Sequence, residues 1–231
     1  MAISCAGIFV CIKLKHLKIQ LYLVIVFICA PFSYASSQKA TIRFTAGINR
    51  FGTQEAFHEP KYRSRLRTGF NAGLNAEIGI AGKFNLQPGL LFVTKGSRSY
   101  EETTMSRVAY VELPVNLIYK LWLGSRKLIV GAGPYAAVAV GGSWKDNTLD
   151  TESDIRFDND ITISQVGQGI DYLRRFDTGI NGLVGYEVSS KVSFQLNGQL
   201  GLLDAAPLLE GDSYFYQRKN FGFGISMGYH F

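Results

Sequence analysis

Asn220-Phe-Gly-Phe-Gly-Ile-Ser-Met-Gly-Tyr-His-Phe231 alternates, residue by residue, between two kinds of side chain. One set is large and apolar: Phe221, Phe223, Ile225, Met227, Tyr229 and Phe231. The other is small or polar: Asn220, Gly222, Gly224, Ser226, Gly228 and His230. Because successive residues of a strand point to opposite faces, this stretch predicts a strand with one apolar face. A water-facing strand would carry charged residues on its polar side, so the glycines indicate that something packs closely behind it.

The same two-residue alternation recurs along the chain and predicts eight strands. They cover residues 41–51, 68–80, 83–96, 107–120, 127–140, 175–188, 191–203 and 220–231. Each is long enough to cross the hydrocarbon of a bilayer at a tilt, which takes roughly 9–11 residues. The predicted connections are alternately long (53–66, 97–106, 141–173 and 204–219) and short (81–82, 122–126 and 189–190). Short turns at one end and long loops at the other are typical of outer-membrane barrels.

The sequence therefore predicts an all-β fold, an eight-stranded antiparallel up-and-down transmembrane β-barrel with a packed lumen. In lipid, backbone polar groups must be bonded within the protein, and strands achieve this only in a closed barrel. The structural alternative is a soluble lipocalin-like barrel, whose water-facing side would be rich in charge. The polar faces predicted for residues 68–80, 191–203 and 220–231 are almost free of charge, which favours lipid.

Three prolines fall inside predicted strands. Pro88, Pro114 and Pro134 lack the backbone N–H group that a ladder hydrogen bond needs. Since a closed barrel has no free edge on which to lose such a bond, we expect each proline at a β-bulge or near a rim.

The N-terminal segment has the features of a secretory signal peptide. Basic residues precede the apolar run 21–32, and a small-residue cleavage site ends at Ala35. We expect cleavage there, which divides the chain into a leader, residues 1–35, and a barrel domain, residues 36–231. The alternative is a membrane anchor, but the run is shorter than the roughly 20 apolar residues that a spanning helix needs.

Composition narrows the classes of function. Cys5, Cys11 and Cys29 all lie in the leader, so the predicted barrel domain has no cysteine. This removes thiolate zinc sites and thiol catalysis from that domain, and we expect no cofactor. Removing the leader takes away three lysines and no acid, which lowers the formal charge from +6 to +3. So small an excess gives no reason to expect a nucleic-acid partner.

Several segments occur together in a fixed order. They are Gly69-Phe-Asn-Ala-Gly-Leu74, Leu86-Gln-Pro-Gly-Leu-Leu-Phe92 followed by Lys95-Gly96, Tyr110-Val-Glu-Leu-Pro-Val115, Val130-Gly-Ala-Gly-Pro-Tyr135, Asp177-Thr-Gly-Ile-Asn-Gly-Leu183 and Gly228-Tyr-His-Phe231. In this order they resemble the PorT-like outer-membrane β-barrel family over nearly all of the chain after the leader. The resemblance implies an integral barrel of the bacterial outer membrane without shared catalytic residues. It also implies that some relatives are accessory parts of a protein-secretion apparatus.

Charged residues on the predicted lumen face are the main candidates for a functional site. They form two levels, Arg43, Glu77, Lys120, Glu187 and His230 near the predicted periplasmic end, and Lys95, Glu112 and Asp177 nearer the outer end. One hypothesis is a gate or polar conduit, and the other is a network of paired charges that fills the barrel. The interior of an eight-stranded barrel is only wide enough for side chains, and buried charges must be paired, which favours the network.

Two further hypotheses have less support. The run Asp154-Ile-Arg-Phe-Asp-Asn-Asp160 offers oxygen ligands for calcium but lacks the glycine and spacing of a calcium loop, so a solvated loop is favoured. A hydrolase would need a nucleophile beside a base, but His58 and His230 lie at opposite predicted ends of the barrel. The candidate loop serines, which have no motif around them, are Ser97, Ser99 and Ser106.

We therefore expect an integral outer-membrane protein that is not an enzyme and acts as a structural or interaction scaffold, including an accessory role in protein secretion. The alternative is a small barrel that binds a surface ligand; a hydrolase is a more distant third. The expected partners are outer-membrane lipid and proteins that contact the long outer loops. The sequence leaves open the oligomeric state and whether residues 141–173 are ordered.

Overall fold

The computed structural model describes residues 40–56, 61–101, 103–124, 126–165, 171–209 and 217–231. The predicted leader and His58 lie outside these ranges. Eight long strands lie within them: β1 (Thr41–Ala56), β2 (Arg65–Ala81), β3 (Phe84–Arg98), β4 (Thr104–Leu123), β5 (Arg126–Asp146), β6 (Phe176–Glu187), β7 (Val192–Gly201) and β8 (Gln217–His230). Among the described residues, no helix is long and apolar enough to cross a membrane.

The eight strands form a closed antiparallel ring. Each strand pairs with the strand before it and the strand after it in the chain. The ladder between β1 and β8, which runs from Arg43 opposite His230 to Ala56 opposite Gln217, closes the sheet. Every long strand thus has a neighbour on both sides. The predicted eight-stranded up-and-down barrel is confirmed.

The two ends of the barrel differ. At one end, which we call the turn end, short links join β2 to β3, β4 to β5 and β6 to β7. Gly82 and Gly124 lie in two of these links with φ angles of +56° and +66°, a backbone conformation that glycine adopts without strain. At the other end, which we call the loop end, the connections are longer.

The faces of the strands are sorted as the alternation predicted. Ile48, Ile225 and Leu196 lie side by side on β1, β8 and β7 and are 61%, 47% and 61% exposed. Other large apolar side chains on the outer face include Phe44, Phe70, Leu74, Leu90, Leu113, Val130, Ile180, Phe194, Phe223 and Met227. The buried inward side chains are largely polar and include Thr45, Asn49, Asn75, Gln87, Asn116, Ser193, Gln195 and Ser226.

Lumen-facing glycines leave room for large neighbours. A Cβ atom at Gly228 would lie 2.6 Å from Cδ of Arg43, and one at Gly222 would lie 2.4 Å from Cδ1 of Phe51. Both distances are too short for a real Cβ contact. The glycines of β8 therefore allow the close packing that the sequence indicated.

Several strands extend further towards the loop end than predicted. β3 continues to Arg98 and β4 begins at Thr104, so half of the predicted loop 97–106 belongs to the two strands. Ser97 pairs with Ser106 across this ladder, and their hydroxyl oxygens are 3.0 Å apart. Beyond the apolar band both faces carry polar residues, so the hydrophobic contrast disappears although backbone pairing continues.

The prediction that the prolines lie at bulges or rims is also wrong. Pro88 is the fifth residue of β3, and Pro114 and Pro134 lie near the middle of β4 and β5. The ladders keep the same register on both sides of them, and the register shifts occur elsewhere, for example between Ala109 and Tyr110. A proline removes only its own N–H bond, and paired residues above and below it hold the register.

Residues 141–173, predicted as one long loop, contain secondary structure where they are described. β5 continues to Asp146 and forms a hairpin with Thr151–Asp154. The shorter elements near the loop end are Lys61–Arg63, Arg156–Phe157, Asp160–Ile161, the 3-10 helix Ile163–Gln165, Tyr172–Leu173 and Leu208–Leu209. Arg156–Phe157 pairs with Tyr172–Leu173, and Asp160–Ile161 pairs with Leu208–Leu209. We call residues 151–165, 171–174 and 204–209 the loop cap.

An arginine at the middle of the outer face should destabilise the barrel. For Ile225→Arg we expect a loss of about 2–4 kcal/mol in the free energy of unfolding, because the charge faces the hydrocarbon. For Leu202→Arg, just past the loop end of β7, we expect about 0–1 kcal/mol. Urea unfolding in lipid vesicles measures both values. Equal losses for the two variants would contradict the assignment of this face to lipid.

Candidate functional site

Near the loop end, a buried lysine lies between two carboxylates that neighbouring strands bring into the lumen. Lys95 Nζ is 2.9 Å from Glu112 Oε2 and 3.0 Å from Asp177 Oδ2. The three side chains are at most 1% exposed. They come from β3, β4 and β6, and each occupies an inward position of its strand. We call these three residues the central cluster.

Polar and aromatic groups complete the surroundings of the central cluster. Asn220 Nδ2 donates to Asp177 Oδ2 at 3.0 Å, and the Tyr135 hydroxyl donates to the same oxygen at 3.3 Å. Gln199 Nε2 donates to Glu112 Oε1. The Lys95 ammonium also lies 4.2 Å from the centre of the Tyr135 ring, close enough for a cation–π contact. The two carboxylates outnumber the single lysine, so these donors help to stabilise the excess negative charge.

A second group of charges fills the lumen at the turn end. Lys120 Nζ pairs with Glu77 Oε1 and lies 2.8 Å from Glu187 Oε1. Lys127 Nζ lies 3.4 Å from the other oxygen of Glu187. These side chains are 9–29% exposed, so water reaches them more readily than the central cluster. We call these four residues the turn-end cluster.

Arg43 and His230 lie beside the turn-end cluster, and within the described ranges neither has an ion-pair partner within 4.0 Å. Glu77 and Glu187 attract the Arg43 guanidinium from a longer distance. With the amide oxygen of Gln195 turned towards Arg43, both terminal guanidinium nitrogens donate to it at 3.0 Å. The buried arginine is therefore held mainly by an amide.

Between the two clusters, amide side chains line a cavity of about 70 Å³. Asn75, Gln87, Asn116 and Asn181 belong to this lining. Asn75 Nδ2 donates to Thr45 Oγ1 at 2.9 Å, so part of the layer is bonded internally. A polar space of this size has room for only a few water molecules. This arrangement leaves no wide passage through the part of the lumen that the structure describes.

At the loop end, apolar side chains of the loop cap close the lumen. Ile155 and Leu173 are 5% and 3% exposed and pack with inward residues of β4 and β5, including Val108, Tyr110 and Tyr135. Trp144 and Phe157 pack against the same cluster. The loop cap is therefore anchored by a small hydrophobic core inside the barrel mouth.

Arg218, at the start of β8, connects the loop cap to the barrel wall. Its Nη1 donates to Asp171 Oδ2 at 3.3 Å. Its Nη2 donates to the hydroxyls of Ser97 and Ser106 at 3.1 and 2.7 Å. Its backbone N–H donates to Asp204 Oδ1 at 2.8 Å. Arg218 thus bonds to two segments of the loop cap, 171–174 and 204–209, and to β3 and β4.

Beside Arg218, a cavity of about 560 Å³ opens at the loop end, and we call it the mouth cavity. Its lining includes Arg63, Arg98, Glu55, Tyr62, Tyr100 and Trp144. Of these, Glu55 Oε1 lies 3.7 Å from Arg218 Nε, so that acid is already partly compensated. The cavity therefore combines aromatic rings with arginine side chains.

The residues of the calcium and hydrolase hypotheses do not form the sites that those hypotheses require among the described residues. Asp158, in the calcium hypothesis, accepts from the backbone N–H of Asn159 at 2.8 Å, and no described residues form a His, Cys, Asp or Glu group suited to a metal ion. Ser97 and Ser106, expected in a loop, are buried in strands and bonded to Arg218. A guanidinium remains protonated and cannot serve as a base for either hydroxyl.

Lys127 and Arg218, which form ion pairs in the lumen and at the loop end, were not identified from the sequence. Lys127 occupies an inward position, two residues before Ile129, and its position in the alternation was available as a signal. Arg218 lies two residues before Asn220 on the inward face of β8, but the predicted strand began only at Asn220. Extending the alternation by one step would have placed it in the lumen.

Removing the lysine of the central cluster should strongly destabilise the barrel. For Lys95→Met we expect a loss of about 3–5 kcal/mol in the free energy of unfolding, because two carboxylates stay buried without a cation. Adding Glu112→Gln and Asp177→Asn should recover more than half of the loss. Lys145→Met, which breaks an exposed pair with Asp150, should cost less than about 1 kcal/mol.

Urea unfolding of the four proteins in lipid vesicles makes the comparison. A Lys95→Met barrel as stable as the parent would show that this lysine is not needed to compensate the two acids.

Removing the Arg218 side chain should loosen the loop cap without opening the barrel. For Arg218→Met we expect hydrogen exchange in residues 155–165 and 171–174 to accelerate about tenfold or more, because the bonds to Asp171 and the two serines are lost. Exchange in β1 and β2 should not change. Lys219→Met, at the next residue of the strand, is the control. Uniform acceleration along the chain would contradict a local role.

Comparison with known proteins agrees with this architecture. A family model described as an outer membrane protein beta-barrel domain matches residues 34–206. No curated protein sequence matches the chain.

Similar solved structures share little sequence with it. Neisserial surface protein A has 11% identity over 84% of this chain and 99% of its own, with a TM-score of 0.45. The attachment invasion locus protein Ail of Yersinia pestis has 8% identity over 84% and 99%, with a TM-score of 0.42. OprG of Pseudomonas aeruginosa has 12% identity over 84% and 97%, with a TM-score of 0.45. Since the family model spans most of the sequence, the chain belongs to the outer membrane protein beta-barrel domain family and is a protein of the bacterial outer membrane.

Proposed function

We propose that the barrel is a surface interaction scaffold, whose loop end, closed by the loop cap, presents a defined outer surface to partner proteins. In outer-membrane barrels the short turns face the periplasm and the long loops face the exterior. The loop cap would therefore be displayed outside the cell. The observation that carries the proposal is that the loop cap is built from paired strands and anchored by Ile155 and Leu173.

The filled lumen supports a scaffold over a solute channel. The central cluster and the turn-end cluster occupy it at two heights, and the cavity between them measures only about 70 Å³. Moving a hydrated solute through would require separating buried ion pairs, which is costly in a low-dielectric interior. The charged lumen residues therefore act in this proposal as a structural filling.

Exposed apolar side chains at the loop end supply contact points. Leu149, in the turn of the hairpin that ends β5, is 72% exposed, and Tyr100, between β3 and β4, is 75% exposed. Lipid cannot cover side chains that project beyond the bilayer, and exposed aromatic and apolar groups are frequent anchors of protein interfaces.

The PorT-like resemblance makes a component of a protein-secretion apparatus one candidate partner. The sequence segments on which this resemblance rests lie mainly in the barrel strands and not in the loop cap. We also propose that the protein has no enzymatic activity. The buried Ser97 and Ser106 hydroxyls face a guanidinium instead of an imidazole or carboxylate base.

The mouth cavity supports a second candidate function, the binding of a small surface ligand. Its aromatic rings and Arg63 suit a ligand that combines a flat apolar face with an anionic group. The volume of about 560 Å³ falls within the usual range of ligand pockets.

Photo-crosslinking in intact cells tests the scaffold. A photoreactive amino acid at position 149 should yield a discrete protein adduct, because this position projects from the hairpin at the loop end. The same amino acid at position 83, in the exposed turn between β2 and β3, should not yield that adduct.

Heat-modifiable migration on gels verifies that both variants are folded. Absence of any adduct from position 149 in folded protein would contradict the scaffold and leave the small-ligand function as the better candidate.

A further inference from the structure

Four arginine side chains come together at the loop end of β2, β3 and β4. Arg65 and Arg98 are directly paired across β2 and β3. Arg107 is paired with Gly96, and Cδ of Arg67 lies 3.2 Å from the position that a Cβ atom at Gly96 would occupy. We call Arg65, Arg67, Arg98 and Arg107 the arginine patch.

The alternation of β3 and β4 indicates the side on which Arg98 and Arg107 leave their strands. Ser97 and Ser106 are buried, and their hydroxyls meet inside the barrel. Arg107 follows Ser106 and is on the opposite, lipid-facing side of β4. Arg98 follows Ser97 and leaves β3 on the same side, but it also borders the mouth cavity at the rim. Arg107 is exposed there.

The arginine patch begins where the apolar band ends. Towards the turn end, the same face carries Phe92 on β3 and Val111 and Leu113 on β4, and Phe92 and Leu113 are 38% and 53% exposed. The ring of Phe70 lies 5.7 Å from that of Phe92, just below the patch. The guanidinium groups are therefore at the height of the lipid headgroups in the outer leaflet.

Among the described residues, few acidic groups lie near Arg67, Arg98 and Arg107. Arg107 and Arg98 repel the Arg67 guanidinium, and Glu152 attracts it. Within the ranges that the structure describes, no carboxylate lies within 4.0 Å of the side-chain nitrogens of Arg67, Arg98 or Arg107. Like charges on neighbouring strands are destabilising unless an anion lies between them.

Three further contacts describe the surroundings of the patch. The Arg98 Nε atom is buried and has no hydrogen-bond partner among the described groups. Lys145, on the adjacent β5, pairs with Asp150 at 3.1 Å, so Asp150 is less available to compensate the charge of the patch. Arg65 lies 5.2 Å from the centre of the Tyr100 ring, which holds its side chain beside the patch.

We propose that the arginine patch binds phosphate groups of outer-leaflet lipid headgroups. A guanidinium offers paired donors that match phosphate oxygens, and several of them surround a doubly charged group better than one does. The patch adjoins the apolar band, so one lipid can contact Phe92 with its acyl chains and the arginines with its phosphate. This site does not depend on the loop cap or on any protein partner.

Native mass spectrometry of the protein purified in detergent tests the site, with bis-phosphorylated lipid A as the probe. The variant Arg67→Gln/Arg98→Gln/Arg107→Gln should bind lipid A about tenfold more weakly or worse, because each basic group at a membrane surface adds to headgroup affinity. The matched control Lys83→Gln/Arg126→Gln/Lys191→Gln changes the charge equally at the turn end and should bind like the parent.

Dephosphorylated lipid A should bind the parent as weakly as lipid A binds the triple variant. Inorganic phosphate should not displace lipid A at equal concentration, and if it did, the site would be one for free phosphate. Equal affinity of the parent and the arginine variant for lipid A would overturn the proposal and leave an acidic protein as the partner of the patch. If the arginine triple variant does not fold, lipid A binding is compared between Arg107→Gln and Arg107→Lys, which change an exposed residue. The glutamine variant should bind lipid A more weakly than the lysine variant.

Discussion

The structure depends on one constraint, that a chain in lipid must satisfy its backbone hydrogen bonds internally. Pairing of β1 with β8 removes the last edge of the sheet. Once the sheet is closed, every second side chain faces lipid and the others face a lumen about as wide as a side chain. The outer band is therefore mainly apolar, and most of the described charged groups lie in the lumen, at the loop end or at the turn end. Arg50, opposite Phe223 on the outer face of β1, is an exception.

The buried ions follow from the same geometry. Lys95 meets Glu112 and Asp177 only when β3, β4 and β6 are in their native register. A slip by one residue in any of these strands would turn a charged side chain from the lumen into lipid. Buried ion pairs often add little net stability, so the central cluster is better understood as a device that specifies register. The filled lumen in turn leaves the loop end as the surface most available for function.

Most of the fold could be predicted from the sequence, because period-two alternation is strong wherever one face meets lipid. The alternation weakened at the loop end, where β3 and β4 extend past the apolar band, and there the predicted loop was wrong. Lumen-facing charges could be named from their positions, but their partners come from strands distant in the chain. Arg43, for instance, meets Gln195, and the role of Arg218 emerged only when β8 was seen to begin at Gln217.

Accessibility of single cysteines tests most directly whether the apolar face meets lipid. Residues 36–231 contain no native cysteine, so Phe223→Cys, Leu196→Cys and Leu149→Cys each place a single thiol in that part of the chain. In native membranes, positions 223 and 196 should resist a charged, water-soluble maleimide, while position 149 at the loop end should react quickly. Reaction at positions 223 and 196 as fast as at position 149 would contradict the barrel's orientation in lipid.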